Sequence, residues 1–170
     1  YYTTNGEDPR LPSGDPNPAA TMPAGSKLDL TLIEAGRSWK YDDSGADLGT
    51  DWTDPAFSDA DWKEGTAPMG YGGITNTDLA TIINPDRHNV TYLRKTVNID
   101  EASATLSLLA KVHVDAGAVI YINGQEAFRD GEFGAGPVTT ESFPATDGKE
   151  GVFDEFEVDP TMLRDGENVI

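Results

Sequence analysis

The stretch from Val119 to Phe128 sets the tightest limit on what this chain can fold into. Asn123-Gly124 stands between two β-prone runs, Val119-Ile120-Tyr121-Ile122 and Gln125-Glu126-Ala127-Phe128. Both central residues of a type I′ turn need positive φ, which Asn and Gly tolerate best, so the spacing predicts a two-residue β-hairpin. Strand-like character recurs at residues 31–35, 91–99, 104–114, 118–122, 125–128 and 151–158, and no stretch shows sustained helical spacing. Within 106–114, the alternate residues Leu108, Ala110, Val112 and Val114 share one face, because side chains alternate across a strand. That face, with Ile120 and Ile122, is expected in the core; Lys111 and His113 are expected to point outward.

Turn residues punctuate the chain throughout, with 18 Gly and 11 Pro among 170 residues, and 37% apolar content suffices for a core. The expectation is an all-β antiparallel fold. Residues 1–31 stand apart. Tyr1-Tyr2-Thr3-Thr4 leads through the turn Asn5-Gly6-Glu7-Asp8-Pro9 into a stretch rich in Pro, Ser, Gly and Asn, too poor in apolar residues for its own core. They read as a partial upstream β module or linker, and residues 32–170 as the main domain with its last strand cut short. Any export signal is expected upstream of Tyr1, because no apolar run here has the form of one.

Twelve basic residues against 30 acidic ones give a formal charge of −18, which repels nucleic-acid phosphates and anionic lipid surfaces. No apolar run approaches the roughly 20 residues of a membrane-spanning helix. Neither nucleic acid nor membrane insertion is expected. The chain has no Cys, so disulfides, thiolate metal sites and cysteine nucleophiles are excluded.

The acidic excess suits a solvated surface or carboxylate ligation of a hard cation. Residues 42–64 hold Asp42, Asp43, Asp47, Asp51, Asp54, Asp59, Asp61 and Glu64 against the single base Lys63. Ca²⁺ prefers six to eight oxygens from such loops, so any bound metal is expected to be Ca²⁺, with Asp42, Asp47 and Asp115 as carboxylates. Asp42-Asp43-Ser44-Gly45-Ala46-Asp47 lacks the oxygen spacing of an EF-hand, and Asp59 and Asp61 have the alternative task of capping the turn before Trp62. His88 and His113 are not at ligand-pair spacing. No nucleophile elbow accompanies the Ser, His and Asp residues, so no catalytic residues are expected. Gly70-Tyr71-Gly72-Gly73 lacks the Lys and following helix of a phosphate cradle.

Three runs carry a family resemblance. The first is Trp39-Lys40-Tyr41-Asp42-Asp43 with Gly49-Thr50-Asp51-Trp52, the second Phe57-Ser58-Asp59-Ala60-Asp61-Trp62 and the third Ala67-Pro68-Met69-Gly70-Tyr71-Gly72; Tyr92-Leu93-Arg94-Lys95-Thr96-Val97, the hairpin from Asp115 and Leu163-Arg164-Asp165-Gly166-Glu167-Asn168-Val169-Ile170 follow them. In this order they resemble the galactose-binding-like β-sandwich, or jelly-roll, accessory modules of secreted bacterial hydrolases, phosphoesterases and spore-coat-kinase-like surface proteins. More distantly they are similar to the sugar-binding domain at the front of family 2 glycoside hydrolases. Where the family often has two acidic residues before the hairpin glycine, this chain has Asp115 and Ala116. Tyr1 to Arg10 resembles the immunoglobulin-like domain at the C-terminal end of chitobiases. The resemblance implies a non-catalytic module, extracellular or at the cell surface, whose partners are a polysaccharide or surface glycan and covalently linked neighbouring domains.

Sugar sites pair an aromatic face with groups that satisfy hydroxyls. The loops that meet this need carry Trp52, Tyr71, and Arg87-His88-Asn89, which are the expected ligand-binding residues. Trp39, Trp52 and Trp62 also suit a plain structural role, plugging the end of a sandwich with the N–H bonded to a carbonyl. A ligand-free spacer, or an accessory piece of an enzyme whose active site lies elsewhere, are the competing readings.

Overall fold

The computed structural model describes residues 31–72, 78–84, 86, 88–102, 105, 107–115, 117–130, 133, 136–143 and 152–170. Ile33–Ile170 forms one compact unit. The expectation for residues 1–31 falls, except for Thr31, outside the described residues.

The described residues are all β, joined by turns and by short 3₁₀ turns at Asp51–Thr53 and Pro160–Met162. β1 (Ser38–Asp42) lies between β2 (Lys63–Thr66) and β5 (Tyr92–Arg94) in an antiparallel sheet. β3 (Met69–Gly70) and β4 (Thr81–Ile82) form a short parallel pair. Three more antiparallel pairs follow: β6 (Thr96–Ile99) with β11 (Gly166–Val169), β7 (Leu108–Val112) with β10 (Asp154–Val158), and β8 (Ala118–Ile122) with β9 (Gln125–Asp130).

The hairpin forms as its turn chemistry dictates. Asn123 and Gly124 take φ of 50° and 83°, and the ladder runs from Ile122↔Gln125 to Ala118↔Asp130 with a bulge after Ile120. On β7, Leu108, Ala110 and Val112 turn toward the interior while Leu109 and Lys111 are exposed, and Lys111 pairs with Glu155 across the ladder. Ile122 is buried; Ile120 and Val114 are half-buried. His113 is half-buried with its ring 5.7 Å from that of Phe153, which is less outward than alternation alone predicts.

The run from Tyr92 to Ile99 serves two sheets. Its first half pairs with β1 and its second with β11, a ladder extended by reciprocal Lys95–Ile170 backbone bonds of 2.8 and 2.9 Å. The Lys95 ammonium donates to the Ser38 carbonyl at 2.7 Å and lies 5.8 Å from the centre of the Trp39 ring. Ile99, Ala102, Ile122, Val158 and Leu163 form the core, with Val97, Leu108, Ala110, Ala127, Phe156, Met162 and Ile170 packed on it.

Two amides lock the hairpin tip to β11. Asn168 is fully buried; its Nδ2 donates to the carbonyls of Arg164 (2.7 Å) and Gly166 (2.9 Å), and its Oδ1 accepts from Arg164 N–H (2.9 Å) and Asn123 Nδ2 (2.8 Å). Asn123 also donates through Nδ2 to the Met162 carbonyl and accepts at Oδ1 from Val169 N–H.

Residues 31–35 are bends and a turn, not the expected strand. Gly36 reverses the chain at φ 77°, Glu34 and Arg37 pair across that turn, and the first strand starts at Ser38. Strand β11 starts at Gly166, and just before it the Asp165 carboxylate accepts from the Ala102 N–H at 2.6 Å.

Candidate ligand-binding loops

β1 and β5 run antiparallel with Asp42 opposite Tyr92, so the loop leaving β1 and the segment entering β5 share one end of the sheet. Asp43 begins that loop as a buried carboxylate. Its Oδ1 accepts from the Lys63 ammonium at 2.6 Å and its Oδ2 from the Asn84 N–H at 2.9 Å. Burial alone would raise the Asp43 pKa, but the bonds from Lys63 and Asn84 outweigh it and hold the group below the ordinary carboxylate value.

Asn84, almost fully buried, takes the left-handed φ of 52° that Asn tolerates. Its side-chain amide closes a turn on His88: Nδ2 donates to the His88 carbonyl and Oδ1 accepts the His88 N–H. The imidazole then covers Gly45, where a Cβ would sit 2.5 Å from Nδ1, so any side chain larger than hydrogen displaces the ring. Asn89 is exposed and donates through Nδ2 to the Thr140 carbonyl at 2.8 Å. Arg87 lies outside the described residues.

Tyr71 reaches the same end through the β3–β4 pair. The Gly70 carbonyl accepts from the Ile83 N–H at 2.9 Å, so Tyr71 and Asn84 leave adjoining backbone positions. Tyr71 is 45% exposed and Ile82 64%, and the Tyr71 backbone adjoins Asn84, where the turn closed on His88 begins.

Trp52 is placed differently. Its ring packs edge-on against Tyr92 (5.1 Å) and Tyr121 (5.7 Å), and its Nε1 donates to the Gly49 carbonyl at 3.1 Å. Trp52 thereby ties β5 to β8. Burial pushes the phenols of Tyr92 and Tyr121 above their ordinary pKa. The structure thus brings Tyr71 and the turn containing His88 together, followed by Asn89, while Trp52 is engaged by internal partners.

The carboxylates expected at a metal are used locally. Asp42 Oδ1 accepts from Ser44 N–H (2.9 Å) and Oγ (2.6 Å), and Asp47 Oδ1 from Gly49 N–H (3.0 Å). Asp115 is exposed in the bend before β8. Among the described residues no group of three or more His, Asp or Glu side chains is arranged to hold a metal ion. A shallow depression of about 330 Å³, lined by Ala102, Thr105, Pro160, Thr161, Leu163, Arg164 and Asp165, includes none of the expected site residues.

Sequence reasoning missed Arg94, which is 2% exposed and bonded to the loop of residues 51–62. Strand alternation held the clue, because Arg94 shares the buried face of β5 with Tyr92, and a base at an inward position requires oxygens around it. Asp59 is one of those partners, through a 3.1 Å ion pair, and the turn before Trp62 is closed by the Asp59 backbone carbonyl.

The described residues define an all-β unit with exposed loops gathered at one end of its three-stranded sheet. No family model matches the sequence, and no curated protein does. Among solved structures the chain is similar to a beta-glucuronidase from an uncultured Clostridium species, at 20% identity and a TM-score of 0.45, over 84% of this chain and 23% of that one. The chain therefore spans about a quarter of that protein's length.

Proposed function

We propose that this unit is a galactose-binding-like β-sandwich of jelly-roll type, acting as a non-catalytic carbohydrate-binding or surface-targeting module of a larger extracellular protein. On this reading residues 1–31 belong to an upstream chitobiase-like immunoglobulin module, and the glycan sits on Tyr71 with Arg87, His88 and Asn89. The observation that carries the reading is the 45% exposure of Tyr71, an open aromatic ring whose backbone position adjoins Asn84 and the polar turn closed on His88. A pyranose needs that pairing, since its C–H face stacks on an aromatic ring while its hydroxyls require partners. Calcium at Asp42, Asp47 or Asp115 remains part of the proposal, with a stabilising effect set by ligand excess.

A ligand-free spacer is the second reading. It is favoured by the internal engagement of Trp52 and by the fact that, among the described residues, every buried side-chain nitrogen and oxygen has a partner. Affinity gels and a glycan array, run with the chain and with Tyr71→Ala, separate the two. Retarded migration that Tyr71→Ala abolishes without lowering the melting temperature supports the module; no retardation on any polysaccharide supports the spacer.

A further inference from the structure

We infer that Arg94 is a built-in cation that organises the acidic loop 51–62 and holds Trp52 in place, a task that a divalent ion performs in other oxygen-lined loops. This inference does not rest on the carbohydrate reading. The loop contains Asp51, Asp54, Asp59 and Asp61 and no base. Into it projects the Arg94 guanidinium, 2% exposed. Nε donates to the Asp59 carboxylate at 3.1 Å, Nη1 to the carbonyls of Trp52 and Asp54 (the latter at 3.3 Å), and Nη2 to the Phe57 carbonyl at 3.4 Å. Three backbone carbonyls and a carboxylate from one short loop are the donor mixture a hard divalent cation takes. Here a guanidinium takes them, with its carbon 5.4 Å from the centre of the Phe57 ring.

The planar fork is suited to this task because it donates in several fixed directions at once, which a lysine ammonium on a flexible stem does not. The loop backbone turns through bonds from Thr53, Asp54, Phe57 and Trp62 N–H to the carbonyls of Thr50, Asp51, Asp54 and Asp59. Arg94 therefore ties the inner side of the loop to β5. On the other side Trp52 packs on Tyr121 and the loop abuts the hairpin tip, where a Cβ on Gly124 would lie 3.6 Å from the Thr53 carbonyl. Arg94 is thus a positioning residue for Trp52, acting through that residue's own carbonyl.

The test compares the 170-residue chain with Arg94→Ala and Arg94→Lys by melting temperature, by amide exchange at Thr53, Asp54, Phe57 and Trp62, and by the Trp52 indole N–H resonance. Both variants should melt roughly 10 °C lower and exchange these amides at least about ten-fold faster. Millimolar guanidinium, far below denaturing concentrations, should restore the loop signals of Arg94→Ala but not of Arg94→Lys, whose side chain fills the space. Calcium should leave the loop signals of the unmodified chain unmoved. The inference is overturned by unchanged exchange in Arg94→Ala, by failure of guanidinium to restore it, or by a calcium response of the unmodified loop. If Arg94→Ala does not fold, Asp59→Asn replaces it: faster exchange confined to the loop supports the inference, and unchanged exchange there overturns it.

Discussion

Asn168 has no exposed surface, and its amide makes four hydrogen bonds, including one to Asn123. Truncation removes all four bonds and leaves the part-buried backbone groups of Arg164 and Gly166 without these partners, so Asn168→Ala should cost about 3 kcal/mol. Asn123→Gly keeps the positive φ of the turn but loses the side-chain bonds, and should cost about 1–2 kcal/mol. Because the two amides share a bond, urea unfolding of the double variant should show a loss smaller than the sum. Asp43 adds a pH dependence. Its folded pKa is lower than its ordinary value of 3.8, so the unfolded chain binds the proton more readily. Its stabilisation is complete above the unfolded value and is lost as pH falls through 3.8 toward the lower folded value. Denaturation midpoints between pH 6 and 3 should fall less steeply in Asp43→Asn; parallel curves would remove Asp43 from the account. The capping role of Asp43 was not legible in the sequence, because among so many carboxylates only the fold selects the one that meets the Asn84 N–H.

At the scale of elements, legibility followed locality. The β8–β9 hairpin was readable because Asn123-Gly124 carries its own backbone requirement, and β7 because alternation spans its full length. The β3–β4 pair was not readable, since two-residue strands show no period and their parallel partner is set by distant residues. Residues 31–35 looked like a strand by composition, but Gly36 turns the chain there. The same locality decides the cost of Gly124→Ala. At φ 83° an L side chain is strained, and the added Cβ meets the Thr53 carbonyl at an ordinary 3.6 Å, so strain without a clash predicts a loss of about 1 kcal/mol. Gly65→Ala differs, since its Cβ would come within 2.7 Å of Thr81 Cγ2 and 3.0 Å of the Tyr41 ring. It should cost more, about 2–3 kcal/mol. Equal losses in thermal unfolding at the two glycines would contradict this distinction.

The whole chain bears a formal charge of −18, and several of its ion pairs, such as Lys111–Glu155 and Glu34–Arg37, are exposed and individually weak. Repulsion among the remaining carboxylates opposes the compact state, and salt screens it within about 10 Å at 0.1 M. The melting temperature should therefore rise as sodium chloride is added. A fall would mean that the exposed pairs outweigh the repulsion. The arrangement of the candidate residues was legible only in part at this scale: all were picked by residue type, and the fold sets the Tyr71 backbone beside Asn84, whose amide closes on His88, while half-buried Trp52 packs on Tyr92 and Tyr121. Nothing local in the sequence separates an aromatic side chain on a loop that faces solvent from one that faces inward. The most direct measurement of the central claim is a nitrogen–proton correlation spectrum of the chain titrated with polysaccharide fragments that retard it on affinity gels. The carbohydrate-module account predicts saturable shifts confined to Tyr71, Ile82 and residues 84–89, lost in Tyr71→Ala. Shifts elsewhere, or none with any glycan, would contradict it.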